Sequence, residues 1–119
     1  MRSFLLIGLC GGLGTWSRYI VAKIIHKLFS STFPISLIFI NLLGCFIIGI
    51  VFSKFPQQVD SDVKNYITIG FLGGFTTFSG FSADFFNLFN NNYYFLAFLY
   101  VFISVFFGLL LFYLGNKCF

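Results

Sequence analysis

Gly70-Phe71-Leu72-Gly73-Gly74-Phe75-Thr76-Thr77-Phe78-Ser79-Gly80-Phe81-Ser82 lies inside a hydrophobic stretch of near membrane-spanning length. A continuous lipid-facing helix has little use for four glycines, two adjacent threonines and two serines packed this tightly. Backbone that leaves helical geometry at membrane depth is tolerated only where it is buried in protein or lines a polar cavity. The segment therefore reads as a broken helix with exposed backbone dipoles, edged by aromatic rings and hydroxyls. Those are the components of an ion site.

The rest of the chain agrees with a membrane setting. Of 119 residues, 59% are hydrophobic and 8% charged, and the mean hydropathy is +0.98. A soluble domain of this size carries roughly a quarter charged residues. An all-α integral membrane protein is expected. The net charge of +4 does not indicate nucleic acid, because the few bases are scattered between apolar runs. The start Met-Arg-Ser followed by an apolar run imitates a signal peptide, but no small-x-small cleavage pattern follows, so the run is expected to stay as a first span. Cys10, Cys45 and Cys118 are odd in number and widely spaced, which fits free thiols better than a disulfide framework or a metal site.

A bilayer core about 30 Å thick needs roughly 20 apolar residues per helix. Four stretches qualify, at about 3–25, 33–53, 66–89 and 93–116, forming a single transmembrane domain. Residues 54–65, with Pro56 and Asp60, form the one clearly polar loop, and Asn90–Asn92 a short turn. Arg2, Lys54, Lys64 and Lys117 fall on one face of the membrane; Lys23 and Lys27, with Arg18 near them, fall on the other. This bias is weak by the rule that basic loops stay inside. Either the termini are cytoplasmic or the chain inserts both ways. A chain of dual topology can pair with its own inverted copy, giving the inverted repeat common in transport proteins. Four helices can hardly enclose a lined pore alone, so a homodimer is expected.

Catalysis has no obvious seat. His26 sits in a basic loop beside Lys27 with no nearby acid or cysteine, and a solvated interfacial histidine is the simpler reading. Arg18 follows Gly8, Gly11, Gly12, Gly14 and Thr15, whose small size would let another backbone approach closely. It is either an interfacial arginine reaching lipid phosphate or a cation in a wet vestibule, paired there with Asp84. Asn41, well inside the second span, must find partners. It serves as glue between helices or offers its amide to a passing anion. Tyr100, Ser104 and Gly108 recur every four residues on one helical face, a narrow hydroxyl stripe. Phe78 and Phe81 flank Ser79 and Gly80 beside the break. A ring's edge is positive, so rings presented edge-on attract an anion without holding it strongly. Carbonyls freed around Gly73 to Thr76 would suit a small hard cation, which prefers oxygen ligands.

Gly11-Gly12-Leu13-Gly14-Thr15-Trp16-Ser17-Arg18-Tyr19, then Asn41-Leu42-Leu43-Gly44, then the Gly70–Ser79 motif with Phe81, resembles the Fluc family of small fluoride channels, also called CrcB. The three motifs occur in the family's order, and length and span count match throughout. The resemblance implies an antiparallel dual-topology homodimer with two fluoride pores in a bacterial inner membrane. It implies a structural sodium ion at the dimer axis, held by backbone carbonyls of Gly73 and Thr76. Phe78 and Phe81 would be the rings facing fluoride, Asn41 the pore amide, and Tyr100 and Ser104 part of a polar track, with Ser79 and Arg18 along the same path. Gly80 stands where many members have threonine, and Gly108 where a further serine often appears.

Two rivals from other classes can be weighed. A proton-coupled small multidrug exporter also has four spans, but it needs an intramembrane carboxylate. This chain has no glutamate, and Asp84 is its only acid near a span. A non-transporting assembly subunit would explain the glycines and Asn41 as packing devices, but not a helix break flanked by aromatic rings.

Overall fold

The computed structural model describes residues 1–55 and 61–119, so Pro56 and Asp60 of the expected polar loop lie outside the described residues. Every element among them is helical. In chain order they are α1 (Arg2–Leu28), α2 (Ile35–Lys54), α3 (Asp62–Asn65), a π-helix (Tyr66–Leu72), α4 (Gly73–Phe75), α5 (Phe78–Asn90) and α6 (Tyr94–Cys118). α1, α2 and α6 are long and apolar enough to cross a membrane, and large apolar side chains such as Phe4, Leu9, Phe95 and Leu109 stand exposed along them. α2 and α6 are apolar all round, as helices immersed in hydrocarbon or protein are. The chain is a multi-pass membrane protein.

α3, the π-helix and α4 follow one another without leaving helical dihedrals. The register loosens between them: the amide of Gly73 donates to the Thr68 carbonyl five residues back as well as to that of Gly70. Thr76 (ψ 158°) and Thr77 (φ −151°, ψ 122°) then take extended conformations before α5 starts. Thr77 caps α5, its Oγ1 accepting from the Gly80 amide at 3.0 Å, which satisfies one of the orphan donors of a helix start.

α1 extends beyond its expected end, so His26 and Lys27 lie on its last turn and not in a loop. The ends of α1 and α2 meet through Ser36 and His26, so these two helices run antiparallel. α1 lies parallel to the π-helix and α4 because glycines remove the obstruction. A Cβ on Gly14 would strike the Phe71 carbonyl, and one on Gly74 would strike the Gly11 carbonyl. α2 and α6 are likewise parallel, with Gly49 against the Phe112 carbonyl and Gly115 against that of Phe46. These small-residue approaches are how membrane helices pack without a hydrophobic driving force between them. The turn at Asn90–Asn92 ends α5 in a Schellman arrangement: Tyr93 donates to the Leu88 carbonyl and Asn92 to that of Phe89. Asn92 takes φ 65°, a left-handed conformation that asparagine tolerates.

Candidate functional site

The site grows from Asn41. Its amide makes two hydrogen bonds to one residue: Nδ2 donates to the Thr77 carbonyl at 3.2 Å, and the Thr77 amide donates to Oδ1 at 3.0 Å. This side chain thus supplies the extended backbone with the pair that a helix would have given it. The glue reading of Asn41 holds here, and one N–H of the amide remains beyond these two bonds.

The clamp has consequences for two carbonyls. In a continuous helix the Thr77 amide would serve the Gly73 carbonyl, and the Gly80 amide that of Thr76. Asn41 takes the first amide and the Thr77 hydroxyl takes the second. Both carbonyls are so deprived of their helical donors. The Thr76 hydroxyl turns back to the Leu72 carbonyl at 2.9 Å, and its methyl lies where a Cβ on Gly44 would go. Gly44 therefore lets α2 close on the break.

Around the clamp is a cavity of about 360 Å³, to which Asn41, Gly44, Cys45, Gly73, Thr76, Thr77, Phe78, Phe81 and Ser104 contribute. Phe78 is 80% exposed. Its ring centroid lies 5.6 Å from that of Phe81 with planes 34° apart. Phe81 in turn lies 5.0 Å from Tyr100, whose ring meets Phe33 edge-on at 6.0 Å. The aromatic wall thus runs from an exposed ring to a fully buried one.

Of the residues singled out in the sequence, Asn41, Gly73, Thr76, Phe78, Phe81 and Ser104 share this cavity. Tyr100 stands behind Phe81 with its hydroxyl buried and, among the described residues, without a hydrogen-bond partner. Ser79 is exposed, sharing a hydrogen bond with the Thr77 hydroxyl at 3.1 Å. Arg18 is half-buried on α1 and does not line the cavity. Asp84 lines a second cavity together with His26, and Arg18 does not line that one either. Thr77 and Cys45 were missed by sequence reasoning. Thr77 carried a signal, since a threonine three residues before a glycine amide can cap a helix; Cys45 carried none. Gly108 abuts Cys45, with 3.4 Å between a Cβ built there and Sγ, so the thiol sits where a longer side chain on α6 would reach.

Among the described residues no three His, Cys, Asp or Glu side chains gather to hold a metal. Gly73 and Thr76, whose carbonyls lack their helical donors, line the cavity.

Comparison with known proteins covers nearly the whole chain. Residues 5–116 match the family described as CrcB-like protein, Camphor Resistance (CrcB). A protein of Flavobacterium psychrophilum named fluoride-specific ion channel FluC is 38% identical over 112 residues, 92% of this chain and 90% of that one. One of the same name from Azobacteroides pseudotrichonymphae is 37% identical, covering 91% of this chain and 88% of its own. Fluoride-specific ion channel FluC 1 of Bacillus cereus is 37% identical, with 94% and 83% covered.

Proposed function

The chain belongs to the CrcB family, and from that premise we propose that it is a fluoride-selective channel, passing fluoride passively out of the cytoplasm through pores formed by an antiparallel dual-topology dimer. The observation that carries this reading is the cavity in which Asn41 holds the backbone extended at Thr77 beside the rings of Phe78 and Phe81.

Fluoride is small and strongly hydrated, so a path that admits it must replace water with fixed donors. The remaining N–H of Asn41 and the Ser104 hydroxyl are such donors, and the positive edges of Phe78 and Phe81 continue them. Rings attract an anion weakly enough to let it leave, and conduction needs entry and escape together. Phe78, exposed in the single chain, would find its cover in the inverted copy, which would also close the open side of the cavity. Residues 62–90 would then form the third span, broken at Thr76 and Thr77, in a four-span protomer.

The carbonyls of Gly73 and Thr76 would hold a structural sodium ion at the dimer axis, two from each chain. When bound, the ion supplies fixed positive charge beside the anion path. The chain's own contribution is the two hydrogen bonds between Asn41 and Thr77 and the Thr77 cap, which leave those carbonyls without their helical donors.

An exporter of cationic drugs is disfavoured, because the chain has no glutamate and the one acid well inside a helix, Asp84, shares a cavity with His26. The deciding experiment is ion efflux from proteoliposomes with a potassium ionophore setting the voltage. Fluoride should leave while chloride stays, and Phe81→Ile should cut the fluoride rate at least about tenfold, roughly 1.4 kcal/mol on the barrier, with the dimer intact by gel filtration. No efflux, or chloride passing equally, sinks the channel reading. Sodium should remain with the desalted dimer, and its absence there removes Gly73 and Thr76 from the cation site.

A further inference from the structure

Where α1 turns into α2, a groove of about 300 Å³ runs between the two helices. Val21, Ile24, Ile25 and Phe29 line one side of it, and Ile35 and Phe39 the other. Ile24, Phe29 and Phe39 each keep about half of their surface exposed, so the groove is open. Because the helices are antiparallel, Val21 and Phe39 mark its deep end, and Phe29 and Ile35 its mouth. Ser36 and His26, 3.3 Å apart, tie the two helix ends together there.

The dimensions suit a lipid tail. Seven helical steps from Val21 to Leu28 rise roughly 10 Å, within the hydrocarbon of a single leaflet, which is about 15 Å or half a bilayer core. The groove also faces away from the larger cavity. At about 100° per residue, Ile35 and Phe39 stand on the far side of α2 from Asn41 and Gly44, which line that cavity. An inverted copy closing the larger cavity would leave this groove to lipid.

The charge at the mouth has one sign. Neither α1 nor α2 carries an acid. Lys23 and Lys27, both exposed, lie on the last two turns of α1. Lys27 follows Ile24 by three residues, so it stands on the strip of α1 beside the groove. The Lys23 ammonium lies over the Tyr19 ring at 4.7 Å. Long basic side chains near a helix end reach headgroup level. α2 begins at Pro34 without a side-chain cap, and the orphan amides of a helix start add to the attraction for negative charge.

We propose that this groove binds an anionic phospholipid: one acyl chain lies along Val21, Ile25 and Phe39, and the phosphate sits at the mouth with Lys27 and Lys23. A zwitterionic lipid fills the same groove with its tail but gains less from the lysines, since its own cation competes for the phosphate. The site therefore selects by headgroup charge.

Tryptophan fluorescence in equimolar phosphatidylglycerol and phosphatidylcholine vesicles tests this, with bromine on the chains of one lipid or the other, because bromine quenches on contact. Trp16→Phe removes the chain's only native tryptophan. In that background Phe39→Trp reports from the groove, and Phe102→Trp reports from an exposed position on α6. At Phe39→Trp, occupancy by phosphatidylglycerol should exceed that by phosphatidylcholine at least about threefold, a modest return on two lysines near anionic lipid. Lys23→Gln with Lys27→Gln should bring the ratio to unity, where Phe102→Trp already stands. Phe29→Trp reads the mouth of the same groove should Phe39→Trp not assemble. A ratio of unity in the groove, a preference that survives loss of both lysines, or an equal preference at Phe102→Trp overturns the site. Quenching by neither lipid in the groove means that protein covers it, which overturns the lipid as occupant. None of these readings depends on fluoride flux, so failure of the channel reading would be seen separately, in the efflux assay.

Discussion

Asn41 is an amide with both ends committed to Thr77, so its replacement separates two jobs. In Asn41→Asp the acceptor for the Thr77 amide survives, but the donor to the Thr77 carbonyl at 3.2 Å is lost. Two oxygens then face each other, and a negative charge enters the cavity. The lost bond and the unsatisfied carbonyl cost about 1–3 kcal/mol, seen as a lower unfolding temperature in detergent. The charge should block fluoride flux as well. Unchanged flux would place Asn41 outside the anion path, and unchanged melting would deny it the clamp. A buried asparagine announces that it needs partners, which made Asn41 legible from sequence. That both partners belong to Thr77 was not legible, because the contact joins positions far apart in the chain. His26 shows the same limit: Lys23 and Lys27 are its charged neighbours in sequence, and only the return of α5 brings Asp84 to the cavity it lines.

At the scale of elements, the crossing of α1 with the third helical region rests on absent side chains. A Cβ on Gly74 would collide with the Gly11 carbonyl and press on the Thr15 amide, whereas one on Gly8 meets nothing within 4 Å. Gly74→Ala should lower stability by about 1–3 kcal/mol, the usual cost of overpacking. Gly8→Ala should stay within about 0.5 kcal/mol, as surface changes do. Thermal unfolding of the two purified variants makes the comparison, and equal losses would mean that the helices do not cross where these glycines lie. The glycines and hydroxyls of this region marked it in the sequence as unfit for plain lipid-facing helix. The π-helix over Tyr66–Leu72 left no such mark. Its residues are ordinary helix and strand formers, and nothing in them announces the five-residue step from Gly73 back to Thr68. The lengths of α2 and α6 were easy to read, since unbroken apolar runs have few alternatives.

For the whole molecule, the question is how many ways it sits in the membrane. The parallel pairs α1 with α4 and α2 with α6 put Arg2, Lys54, Lys64 and Lys117 toward one end and Lys23 and Lys27 toward the other. A division of four against two is only a weak bias and should let the chain insert in both senses. Cys118 is exposed at the end of α6 and can report it. In a Cys10→Ala, Cys45→Ala background, a membrane-impermeant maleimide applied to sealed right-side-out vesicles should label about half of the Cys118 thiols. Labelling of nearly all or nearly none would establish one fixed orientation and rule out dual topology.

The bend at Thr76 and Thr77 is fastened by Asn41 and by the Thr77 hydroxyl, all within one chain. No second molecule is needed to set it. Each newly made copy can therefore finish shaping this bend while still alone in the bilayer. In the proposed dimer, meeting an oppositely inserted twin would then be a late docking of finished pieces, governed by lateral diffusion and expression level. It need not be coordinated at the ribosome.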